Sequence, residues 1–171
     1  MVLIMKNLVY FILILSGFSY AQVAIGKINV VGSNTLLDFD QSPTNSKGII
    51  LPAVTNTTNV SPTNGTFVFD INTKKVRMVE NNVWKDLSDI GNTSNLISNT
   101  SNDIGNGVIM GAETSAATGI LVLEAADKAM VLPKISNPHL TVKSPYAGMM
   151  CYDTVSKTLA VFDGTNWNYW K

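Results

Sequence analysis

Apolar positions beyond residue 21 recur in short alternating runs, and polar turn residues separate the runs. Thr66-Phe67-Val68-Phe69 passes through Asp70-Ile71-Asn72-Thr73 into Lys75-Val76-Arg77-Met78-Val79, and Asn81-Asn82 then turns the chain into Val83-Trp84-Lys85-Asp86-Leu87. β-rich runs bounded by Asx-type turns predict an antiparallel meander. Val76 and Met78 face one way and Lys75 and Arg77 the other, which predicts a sheet with one wet face. Farther on, Met149-Met150-Cys151-Tyr152, Thr158-Leu159-Ala160-Val161-Phe162 and Trp167-Asn168-Tyr169-Trp170 form a second set of runs, with Asp163-Gly164-Thr165-Asn166 as a tight turn. Helical periodicity is scarce, and its best candidate, Glu113 to Ala117, is too short to count as a helix.

The two sets of runs match each other. Lys47-Gly48-Ile49-Ile50-Leu51-Pro52-Ala53-Val54 corresponds to Lys128-Ala129-Met130-Val131-Leu132-Pro133-Lys134-Ile135. Each follows an apolar run ending in an acid, Leu36-Leu37-Asp38-Phe39-Asp40 and Ile120-Leu121-Val122-Leu123-Glu124. Gly65, Asp70, Lys74 and Trp84 return, in that order, as Gly148, Asp153, Lys157 and Trp167. An order of matches that survives changes in loop length marks a duplicated unit. Proline cannot donate to a ladder, so Pro52 and Pro133 are expected at a strand end or an edge. Between the copies, residues 88–107 are nearly all Ser, Asn, Thr, Gly and Asp, a composition that buries too little surface to fold alone and reads as a linker. Within it Asp89-Ile90-Gly91-Asn92 recurs as Asp103-Ile104-Gly105-Asn106, which leaves a solenoid-like rung as the alternative.

The N-terminus has another pattern. Lys6 precedes an apolar run from Leu8 to Leu15, and Ser19 and Ala21 stand where a signal peptidase requires small residues. A membrane span needs about 20 apolar residues, more than this run supplies, so residues 1–21 read as a cleaved export signal. Translation starts at Met1 or at Met5, whose Met5-Lys6-Asn7 is the more usual opening. The expected mature chain begins at Gln22, without a membrane span, and is secreted, periplasmic or attached to the cell surface.

Three stretches carry a resemblance. Gln22-Val23-Ala24-Ile25-Gly26, Lys47 to Pro52, and Gly148-Met149-Met150-Cys151-Tyr152-Asp153 running on to Val161-Phe162-Asp163-Gly164-Thr165-Asn166-Trp167 resemble a family of secreted bacterial proteins. The last stretch is also similar to small β modules of bacterial surface proteins and phage tail-fibre-like proteins. The resemblance implies binding, adhesion or a structural role outside the inner membrane, in some members as a trimer, and it transfers no catalytic residue. The first copy departs from the pattern, with Phe69 in place of Tyr152 and Asn81 in place of Gly164.

Composition narrows the chemistry. Twelve basic residues balance twelve acidic ones, and losing Lys6 with the signal leaves a slight acidic excess, so there is no electrostatic footprint for nucleic acid. Cys151 is the only cysteine, which rules out an intramolecular disulfide; within its strand it reads as a small buried hydrophobe. His139 is the only histidine, sits beside Pro138 in an expected loop, and shares no motif with a nucleophile or acid. No phosphate-cradling glycine loop, dinucleotide fingerprint or zinc cluster is legible, so no cofactor and no metal is expected. Asp38 and Asp40 share a strand face and read as solubilising rather than cation-binding.

What could bind is aromatic. Trp84 and Trp167 occupy one position in the two copies, and the favoured reading is that they close small cores. Tyr169 and Trp170 are the better placed for exposure, and all four rings are candidate contacts for a sugar or a partner protein. Thr154, in Asp153-Thr154-Val155, is a candidate O-glycosylation site. The expected molecule is therefore all-β: an export signal (1–21), two related antiparallel meander modules (22–87 and 108–171) and a polar linker (88–107). Its expected role is non-enzymatic adhesion, binding or assembly, with an unidentified protein or glycan as partner and self-association as a trimer; glycan binding through the exposed rings is the alternative.

Overall fold

The structure, a computed structural model, describes residues 22–60, 63–97, 101, 105 and 107–171. The export signal, the choice of start codon and Asp103, Ile104 and Asn106 of the second rung lie outside these residues. Strand is the main regular structure among the described residues. The exceptions are a single 3-10 turn, Thr57–Asn59, and one four-residue helix, α1 (Pro138–Thr141). Pro138 occupies the first helical turn, where its missing N–H costs nothing, and the helix stops after one turn. Residues 113–117 form no helix.

In the first half the strands are β1 (Val23–Ile25), β2 (Thr35–Phe39), β3 (Ile49–Ile50), β4 (Ala53–Val54), β5 (Phe67–Asp70), β6 (Lys75–Glu80) and β7 (Val83–Asp86). The second half contributes β8 (Val108–Met110), β9 (Leu121–Leu123), β10 (Ala129–Val131), β11 (Lys134–Ile135), β12 (Met149–Asp153), β13 (Thr158–Phe162) and β14 (Trp167–Trp170). β5, β6 and β7 pair antiparallel in sequence order, as do β12, β13 and β14. Asn81 and Asn82 both take left-handed backbone, as a two-residue hairpin of this hand requires, and Gly164 does so in the other hairpin.

The antiparallel reading covers only part of the sheet structure. Each meander is extended by a parallel strand, β4 on β5 and β11 on β12. Here the two prolines act as acceptors: Pro52 C=O takes the N–H of Phe69 and Pro133 C=O takes that of Tyr152, both at 2.9 Å. A carbonyl is all a proline can offer a ladder, and both are used. Two further parallel pairings, β1 with β2 and β8 with β9, precede the meanders.

The halves also exchange strands. β10, from the second half, pairs in parallel with β2 of the first, and β3, from the first half, pairs antiparallel with β12 of the second. One hydrophobic core joins Leu51, Phe69, Val76 and Leu87 to Ala147, Met150 and Val161. A second core, Ile135, Met149, Cys151, Ala160 and Phe162, lies on the other face of β12 and β13. Those two central strands are thus covered on both sides, and the expected wet face is confined to β6 and β7. There Lys75 and Arg77 both pair with Asp86, and Arg77 also reaches Asp70.

The start of the polar stretch is tied to both sheets. Ser88 is buried and its hydroxyl accepts from Val76 N–H. Gly91 N–H donates to Lys74 C=O, and Asn92 N–H to Asp163 C=O. A side chain at Gly91 or Gly164 would collide with the facing backbone, Asp163 C=O and Asn92 C=O respectively, so each glycine permits the other segment's approach.

Candidate functional site

Trp84 and Trp167 hold equivalent ladder positions, opposite Val79 and Phe162. Both are half-buried, but their surroundings differ. Trp167 packs on the second core, its ring 5.4 Å from that of Phe162. Trp84 lies on the charged face, with the Arg77 guanidinium 5.7 Å from its ring centre, in cation–π range. Tyr169 is 39 % exposed and Trp170 45 %. As neighbours in β14 these two point to opposite faces of the sheet and make no common stacking platform. Their polar atoms are engaged: Tyr169 Oη meets His139 Nδ1 at 2.9 Å, and Trp170 Nε1–H donates to Leu87 C=O at 2.6 Å. His139 lies on α1 rather than in a loop.

Thr154 is exposed at the β12–β13 turn, with its N–H donating to Ile135 C=O. The carboxylate beside it organises backbone. Asp153 Oδ1 accepts the N–H groups of Asn137 and Val155, and Oδ2 that of Ser156. Burial alone would raise its pKa, but these bonds lower it below the ordinary value. Asp70 repeats the arrangement toward Asn72 and Thr73, and Asp163 holds Thr165, Asn166 and the Asn168 amide.

Asp38 departs from expectation. It does not solubilise a strand face: its side chain is fully buried, because β2 has β1 and β10 on its two edges and both its faces are covered. Lys27 Nζ pairs with Asp38 Oδ2 at 2.6 Å, Val31 N–H donates to the same oxygen, and Gln41 donates to Oδ1. Burial pushes this carboxyl up; the hydrogen bonds and the Lys27 charge more than offset it, and its pKa is lowered. An apolar run interrupted by one acid gave no sign of this pairing, since Lys27 lies eleven residues upstream in a different pattern.

Cys151 is fully buried in β12, and burial, then the Asp153 charge, pushes its thiol up to about 12. At neutral pH it should not react with a thiol reagent until the protein unfolds. Labelling with and without denaturant checks this, and rapid labelling of the native chain would contradict the burial.

Among the described residues, no three His, Cys, Asp or Glu side chains are grouped to hold a metal ion, and no helix is long and apolar enough to cross a membrane. A groove of about 420 Å³ runs past Ile25, Asp40, Asn45, Lys47 and Pro133, with Asp40 committed to Ser42 N–H.

Besides loop residues such as Ile28 and Ile97, some apolar groups are exposed along sheet edges. Ile120 is 67 % exposed, Val108 53 %, Ile50 48 % and Leu121 46 %. Three of these four lie in or beside the two-stranded β8–β9 ladder.

Residues 109–171 match the family model described as a phage tail like trimerisation region. The match runs from within β8 to the end of β14 and leaves residues 1–108 outside it. It agrees with the tail-fibre-like part of the resemblance carried by residues 148–167. No curated protein and no solved structure matches this chain.

Proposed function

We propose that this chain is an exported, non-enzymatic structural protein that assembles as a homotrimer, its two halves being copies of one sheet-forming unit. The observation that carries the reading is the match of residues 109–171 to a trimerisation region. Physical chemistry supports it in two ways. Isoleucine, valine and leucine side chains exposed along a two-stranded ladder are a poor surface for an isolated monomer and a good one for self-association. A chain without a disulfide also gains stability when folding is coupled to association. Export rests on the charged, apolar and small-residue order of residues 1–21, and the cell surface or the exterior is its destination on this reading.

A second reading, glycan binding, has the exposure of Tyr169 and Trp170 in its favour. It is the weaker because a sugar would meet those rings singly, one on each face of β14. For the first reading, sedimentation of the mature chain should give three times the monomer mass over a range of concentrations. A monomer at every concentration would overturn it.

A further inference from the structure

The two halves use equivalent strands in unequal ways. Asp40 N–H donates to Ile25 C=O to close the β1–β2 ladder, and Glu124 N–H donates to Met110 C=O to close the β8–β9 ladder; both ladders are parallel. Gly26 and Gly111, directly after β1 and β8, both take positive φ. β9 is therefore the counterpart of β2, with Leu121 and Val122 in the places of Leu37 and Asp38. By the Lys47–Val54 match to Lys128–Ile135, β3 is the counterpart of β10, with Ile49 and Ile50 in the places of Met130 and Val131.

β2 carries β10 on its second edge, in the register Met130 to Leu37 and Val131 to Asp38. The second edge of β9 carries no strand among the described residues. Backbone direction shows what each edge has to offer. Ile120 C=O and Glu124 N–H both face β8, so Leu121 and Leu123, which alternate with them, direct their N–H and C=O groups outward. In β3, Leu51 N–H reaches Gly148 C=O on the β12 side, so Ile50 directs its own groups the other way. Its counterpart agrees: Ala129 N–H reaches Asn34 C=O beside β2, and past a register shift between Ala129 and Met130 the pairing with β2 continues through Val131. The outward edge of β3 is thus the edge its counterpart uses to bind β2. Neither edge carries a charge or a proline, two of the usual devices against pairing, within Leu121-Val122-Leu123 or Ile49-Ile50.

We infer that β9 of one protomer takes β3 of a second copy of this chain as a parallel third strand, with Leu121 beside Ile49 and Val122 beside Ile50. The inference rests on the trimer proposed above and specifies its contact. Each protomer would then offer one β9 edge and one β3 edge, a head-to-tail contact that closes on itself in a ring of three. The pairing would cover Ile50 and Leu121, now about half exposed.

The test co-expresses two differently tagged full-length chains, one with Ile50→Cys and one with Val122→Cys, and treats them with a short bis-maleimide at neutral pH. The native Cys151 is silent because it is buried. A crosslinked product bearing both tags is expected, whereas Val155→Cys, on an exposed turn, paired with Ile50→Cys should give none. Backbone exchange gives a readout independent of the cysteines: in the unsubstituted protein the Leu121 and Leu123 amides should be protected in the trimer. A trimeric mass with no mixed crosslink and fast exchange at Leu121 and Leu123 would overturn the β9–β3 contact and leave the trimer standing. A monomeric mass would remove both.

Discussion

Replacing Phe69 by alanine should lower the stability of the fold by about 3–5 kcal/mol, the usual cost of emptying a fully buried phenylalanine site. This is a large share of the roughly 5–15 kcal/mol that holds most domains together. Phe69 belongs to the core that also contains Met150 and Val161, so the loss should spread beyond its own half. Denaturant unfolding followed by fluorescence should shift as one transition, with Trp167 and Trp170 reporting it along with Trp84. A variant in which the β12–β14 signals keep the wild-type midpoint would show that the halves do not share a core. Ile28→Ala, at a side chain 96 % exposed, should change stability by no more than about 0.5 kcal/mol and serves as the control.

Lys27→Met should cost about 3 kcal/mol at neutral pH, because it leaves the buried Asp38 carboxylate without its cation. The effect should depend on pH with a definite sign. In the wild type the Asp38 pKa lies below the ordinary 3.8, so its stabilisation is complete above that value and disappears as the pH falls through the lowered native pKa. In the variant, burial is no longer offset by the ammonium, and the native pKa rises. Protonation then relieves the variant while it weakens the wild type. The stability gap should be widest near pH 7 and narrow below about pH 4. Urea midpoints at a series of pH values measure it; a gap that stays constant with pH would mean that the cost comes from lost packing of the lysine stem.

The antiparallel strands were legible because their physics is local. Period-two alternation in 75–79, the β-rich run at 158–162 and the turn residues at 81–82 and 163–166 lie within a few positions of the bonds they produce. Other turns were less readable: Lys74 and Lys157 take left-handed backbone where lysine gives no hint of it, held by the neighbouring Asp70 and Asp153 turns. Among the candidate site residues, Trp84 and Trp167 were recognisable as equivalents from spacing, and the ladder places them so. Their different surroundings were not readable, since what covers a ring depends on the neighbouring strand: Arg77 in one case and Phe162 in the other.

From the chain alone came the β class and the lone cysteine, both properties of composition and short-range order. Tertiary structure decided that β10 joins β2 and β3 joins β12, that Asp38 is a buried ion-pair partner, and that β9 has an open edge among the described residues. The reason is one of range. A parallel or cross-half pairing leaves no turn between its partners for a sequence to record, and it is selected by which apolar faces can be buried together once the whole chain has collapsed.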